Sequence, residues 1–125
     1  MTGELQGTRI LVVEDDFMVR LELETVLGAA GASVHGCGTV VQALAAIAAE
    51  TFDAAVLDVR LGSGTVGPVA RKLDELRTPF VLYTGTEQTA NSHWPQARVI
   101  AKPAAAALLV RAVSETIGLT QRPAG

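Results

Sequence analysis

A chain of 125 residues is long enough for one domain with a real hydrophobic core and too short for two. Hydrophobic residues make up 49% and aromatics only 4%, so the core has to be built from Val, Leu, Ile and Ala, as suits helices packed on a parallel sheet. A net charge of −3 without a Lys/Arg cluster argues against nucleic acid. The single cysteine, Cys37, excludes an internal disulfide and any multi-cysteine metal site, and no signal peptide or ~20-residue apolar span is present, so a cytoplasmic protein with no membrane contact is expected.

Thr8 to Val13 is short, apolar and β-branched, and reads as a first strand that stops at Glu14-Asp15-Asp16. Asp16 can cap a helix running to about Ala30, with Val19, Leu23, Val26 and Leu27 inward, Arg20, Glu22 and Glu24 outward, and Gly31 ending it. Ser33 to Cys37 is a weak second strand in which Cys37 is expected to be an inert buried thiol, and Thr39 then caps a helix carrying Val40, Leu44 and Ile47. Phe52 to Leu57 is a third strand, buried on both faces, that stops at Asp58. A loop from Leu61 to Gly64 leads to a third helix, with Pro68 in its first turn and Val66, Val69, Ala70 and Leu73 inward.

Phe80 to Tyr83 is a fourth strand ending in Thr84-Gly85. The stretch from Thr86 to Gln96 lacks periodicity and contains Pro95, so a fourth helix is expected to be short or irregular. Arg98 to Ala101 is a fifth strand closed by Lys102-Pro103, and a last helix from about Ala104 to Ile117 should turn Leu108, Leu109, Ala112 and Val113 to the sheet. Strands alternating with helices argue for a doubly wound α/β fold: a five-stranded parallel sheet with helices on both faces. A single domain is expected over 1–125, with its core at about 8–117 and no output domain.

The residues at the strand ends are Glu14 and Asp15, Asp58, Thr84 and Lys102. In the order 2-1-3-4-5 strands one and three are neighbours, so the three carboxylates meet in the crevice where such sheets bind ligands. Crowded carboxylates raise at least one pKa unless a cation joins them, and an all-oxygen donor set suits Mg²⁺ or Mn²⁺. A carboxylate beside such an ion, a hydroxyl and a fixed ammonium are the parts that phosphoryl transfer onto an aspartate requires.

Leu11-Val12-Val13-Glu14-Asp15-Asp16, Val56-Leu57-Asp58, Tyr83-Thr84-Gly85 and Ala101-Lys102-Pro103 together resemble the receiver domain of two-component response regulators, over roughly Arg9 to Ile117. The resemblance implies a flavodoxin-like receiver in which Asp58 is the phosphoacceptor and takes a phosphoryl group from a histidine kinase or histidine phosphotransfer protein. It further implies that Glu14, Asp15, Asp58 and the backbone carbonyl of Arg60 hold Mg²⁺ (or Mn²⁺), that Thr84 is the switch hydroxyl and that Lys102 pairs with the phosphoryl group. A downstream protein target is implied as well, and a homodimer is compatible with it. The chain departs from the family pattern at Val99, where receivers commonly carry a rotating Tyr or Phe, at Leu61-Gly62, at Ala104, and in the short span from Thr84 to Lys102.

The leading reading is therefore a stand-alone receiver, not an enzyme beyond its own phosphorylation and dephosphorylation. The alternative is a receiver-shaped adaptor whose partner binding ignores phosphorylation, motivated by Val99 and the short fourth segment. A small Mg²⁺-dependent phosphatase is the third reading, and Arg60 stands against it because such enzymes generally use an acid at that position. His35 and His93 fall away from the acids. Trp94 either anchors the irregular segment or offers an aromatic contact to a partner. Tyr83 either packs on a helix or gates the site.

Overall fold

Strands of four or five consecutive apolar residues have no polar face to show to water, so they form the middle of a sheet covered on both sides. In the computed structural model, which describes residues 3–61, 64–85, 94 and 97–121 (of 60, 61, 64 and 119–121 only the backbone), this is where they lie. The strands are β1 (Arg9–Val13), β2 (Ser33–Cys37), β3 (Ala54–Leu57), the short β4 (Arg60–Leu61) and β5 (Gly64–Thr65), β6 (Phe80–Thr84) and β7 (Arg98–Ala101). The helices are α1 (Phe17–Ala29), α2 (Val40–Ala49), α3 (Gly67–Glu75) and α4 (Ala106–Gln121). The main sheet is parallel in the order β2-β1-β3-β6-β7, which is 2-1-3-4-5 when only its own strands are counted. The region expected to hold a short fourth helix lies outside the described residues, as do Gly62, Thr86, His93 and Pro95.

Alternation along each strand divides the core in two. Leu11, Val13, Ala55, Leu57 and Leu82 face α2 and α3, where they meet Ala43, Ile47, Val69 and Leu73. Ile10, Val12, Val56, Val81 and Tyr83 face α1 and α4, meeting Leu23, Leu27, Leu109, Ala112 and Val113. Leu5, outside the expected core, is fully buried in the second layer, where its N–H donates to the carbonyl of Ala30 at 2.9 Å.

The expected caps are in place. Asp16 Oδ1 accepts from the N–H groups of Met18 and Val19, and Thr39 Oγ1 accepts from that of Gln42. Gly31 sits at φ 104°, the left-handed conformation that lets the chain leave α1. Two expectations about facing fail. Leu108 is 46% exposed, because it lies about 100° round the helix from Leu109, at the edge of the stripe formed by Leu109, Ala112, Val113 and Ile117. Arg20 folds back over the sheet instead of pointing outward. The segment expected to be plain loop after Leu61 also contains pairing, Arg60 with Thr65 and Leu61 with Gly64.

Cys37 is 3% exposed, and burial, the largest influence, pushes its thiol up to about 11 against a small opposing effect of Arg20. Native protein at pH 8 should therefore react with iodoacetamide at least about 100-fold more slowly than the urea-unfolded chain. Comparable rates in the two states would contradict the inert assignment.

Candidate functional site

Parallel strands end along one edge, so the residue after each strand is delivered to the same crevice. The ladder extends one residue past three strand ends. The N–H of Glu14 donates to Cys37 O at 3.0 Å, that of Asp58 to Val13 O at 3.0 Å, and that of Lys102 to Thr84 O at 3.1 Å. Each of these side chains thus springs from a backbone held by the neighbouring strand, which is a rigid way to place polar groups.

The side chains converge. Lys102 Nζ donates to Glu14 Oε2 at 2.7 Å and to Asp58 Oδ2 at 3.1 Å. Glu14 is 1% and Asp58 8% exposed, while Asp15 stands in the open. One carboxylate oxygen from each of Glu14, Asp15 and Asp58 lies within 4.8 Å of the others. The N–H of Asp16 donates to Glu14 Oε1 at 3.1 Å, so both oxygens of that buried carboxylate are engaged.

Burial pushes Glu14 up to about 7, with the Asp58 charge adding to the rise and the bonds from Lys102 and Asp16 opposing it. For Lys102, burial favours the neutral form, but the bonds to Glu14 and Asp58 overcome it and hold the ammonium above its ordinary range. A donor set made only of carboxylate oxygens, gathered within 4.8 Å of one another at the rim of a crevice, fits a small hard divalent cation. Glu14, Asp15 and Asp58 are the side chains that would hold it. Arg60, the other expected donor, opens β4 two residues beyond Asp58.

Thr84 closes β6 in the same crevice, 1% exposed. Val99 pairs with Leu82 and is half-buried against the layer that holds α2 and α3, so the position where receivers commonly carry an aromatic ring holds a compact aliphatic side chain. Tyr83 is buried against the α1–α4 layer. Its hydroxyl accepts from the N–H of Ala104 at 3.2 Å, and Lys102 Nζ lies 5.7 Å from its ring centre, so it steadies the lysine loop from below. Trp94 packs against the first core layer beside Gly67, which favours the anchoring reading. His35 joins Glu50 at 2.9 Å and meets Phe52 edge-on rather than joining the acids. Arg20 was missed by the sequence reading: its Nη1 donates to Glu14 O at 2.8 Å. The sequence sign for it is Gly38, just after β2, where a Cβ would lie 3.0 Å from that nitrogen.

A family model described as the response regulator receiver domain matches residues 10–114. No curated protein matches significantly. Among solved structures, the receiver domain of the PhyR response regulator from Erythrobacter litoralis is 20% identical, with TM-score 0.84, covering 98% of this chain and 99% of that one. The non-phosphorylated HemR receiver domain from Leptospira biflexa is 27% identical, with TM-score 0.79 and coverage of 94% and 99%. The receiver domain of a sensor histidine kinase from Pseudomonas aeruginosa, solved with a magnesium ion coordinated in its active site cleft, is also 27% identical, with TM-score 0.79 and coverage of 90% and 98%. The family match spans the chain from β1 into α4 and takes in every residue of the crevice, so this chain belongs to the response regulator receiver domain family of two-component systems.

Proposed function

We propose that the protein is the phosphoacceptor of a two-component phosphorelay, taking a phosphoryl group onto Asp58. The observation that carries this reading is the joined set of Asp58, Glu14 and Lys102 at the edge of the sheet. The donor is a phosphohistidine on a histidine kinase or phosphotransfer protein. An Asp58 carboxylate oxygen attacks phosphorus in line, the P–O bond forms as the P–N bond breaks, and the imidazole leaves and is protonated from solvent. Glu14, Asp15, Asp58 and the Arg60 carbonyl would hold Mg²⁺, which when bound would supply charge neutralisation for the phosphoryl oxygens. Lys102 is already bonded to Asp58 and offers a donor to one of those oxygens, and the Thr84 hydroxyl offers another. Water later cleaves the acyl phosphate, and a protein target reads the phosphorylated surface. No further enzymatic activity is assigned.

Intact-mass analysis after incubation with acetyl phosphate and Mg²⁺ tests this directly. A gain of one phosphoryl group is expected, absent with EDTA and absent in Asp58→Ala. An unmodified wild type that remains folded would overturn the reading.

Val99 motivates a second reading, an adaptor whose partner binding ignores phosphorylation, since no aromatic ring is present there to rotate between two packings. Equal partner affinity for wild type with and without beryllofluoride, and for Asp58→Asn, is the result that would favour it.

A further inference from the structure

The parallel ladder leaves one carbonyl at the site without its regular donor. β1 and β2 pair through Val13 and Cys37, and the N–H of Glu14 still reaches Cys37 O, but β2 ends there and cannot offer the next donor to Glu14 O. Arg20 supplies it from α1, with Nη1 at 2.8 Å from that carbonyl. Room for the guanidinium comes from Gly38, just after β2, where a Cβ would lie 3.0 Å from Nη1; a Cβ on Gly36 would meet the Glu24 carboxylate first and lie 3.3 Å from Arg20 Cδ. Neither glycine has left-handed backbone, so what each provides is space. The ring of Phe17, 5.5 Å from the guanidinium carbon, closes over the other side.

The carbonyl in question belongs to the peptide that joins Glu14 to Asp15. Its plane sets the direction in which Asp15 leaves the chain, and therefore the third carboxylate of the cluster. We propose that Arg20 is a positioning residue for the divalent-cation site, replacing a missing strand donor so as to aim Asp15 beside Glu14 and Asp58. This rests on the reading of that cluster as a Mg²⁺ site.

The sign of the effect separates positioning from charge. As a nearby cation, Arg20 repels Mg²⁺, so removing its charge alone would tighten binding. As a positioning residue it strengthens binding, and Arg20→Ala should weaken it by about tenfold, the scale for losing the support behind a metal ligand.

Titration calorimetry with Mg²⁺ on wild type, Arg20→Ala, Arg20→Lys and Gly38→Val is the test, paired with NMR amide exchange at Asp15 and Asp16 in the metal-free proteins. Expected are weaker binding and faster exchange at both amides in Arg20→Ala, partial recovery in Arg20→Lys, and the Arg20→Ala defect reproduced by Gly38→Val, whose added methyls displace the guanidinium. Wild-type binding with unchanged or tighter binding in the variants would overturn the positioning role alone. Wild type that binds no Mg²⁺ would overturn the metal site and this role with it. Should Arg20→Ala fail to fold, unchanged affinity in both other variants would overturn the positioning role equally.

Discussion

Glu14→Gln is expected to weaken Mg²⁺ binding on the order of 100-fold and to remove its dependence on pH. In the wild type Glu14 sits at about 7, and a cation requires its ionised form, so affinity should climb close to tenfold per pH unit below that value and level off above it. Stability of the metal-free protein should move the other way. A carboxyl raised from 4.5 to about 7 by burial favours the folded state fully below pH 4.5, and that contribution is lost as pH rises through 7. Linkage sets the loss at no more than about 3–4 kcal/mol. Lys102, held above its ordinary range, stays charged throughout this window and adds no slope. Gln cannot ionise, so its variant should show a flat profile from pH 5 to 8, at the cost of one of the two acceptors that Lys102 and the Asp16 N–H now use. Calorimetry at pH 6, 7 and 8 with urea melts at the same pH values checks both halves. A wild-type affinity independent of pH would remove Glu14 from the site.

Much of this was legible in advance, and the reasons are local. The runs Ile10–Val13 and Ala54–Leu57 have no polar interruption, which places them at the centre of a two-sided sheet, and the polar residues that stop them then have only one edge to occupy. Val66, Val69, Ala70 and Leu73 fall at helical spacing between charged residues, and all four are buried. Crowded acids implied one raised pKa, but not whose. Successive residues leave a strand end in opposite directions, and here Glu14 turns inward while Asp15 stays in water.

What was not legible depends on contacts far apart in sequence or too short to leave a pattern. Leu5 is a single apolar residue with no period around it, buried only because residues 3–8 fold under the end of α1. The pairs Arg60–Leu61 and Gly64–Thr65 are below the length at which alternation can be seen. Arg20 looks like one more polar residue on the outer face of a helix until the end of β2 is known, because its partner is a backbone carbonyl left over by the sheet.

Lys102→Met is expected to destabilise the metal-free protein by about 2–4 kcal/mol at pH 8 and by much less at pH 5. The ammonium is the shared donor to Glu14 Oε2 and Asp58 Oδ2, and their side chains are 2% and 10% exposed, so deleting it strands two carboxylates where water cannot reach them freely. At low pH Glu14 relieves the strain by taking a proton, and without the opposing lysine it does so more readily than in the wild type. Met keeps the length and apolar stem of the side chain, so packing against Tyr83 is retained while the charge is lost. Mg²⁺ should restore more stability to the variant than to the wild type, and bind it more tightly, since no ammonium competes for the same oxygens. Phosphoryl uptake at Asp58 should survive at a reduced rate. Urea melts at pH 5 and 8, each with Mg²⁺ and with EDTA, separate the two contributions of this residue. An equal loss at both pH values, unrelieved by Mg²⁺, would mean that Lys102 acts through its stem and its loop rather than as the counter-ion of the acidic cluster.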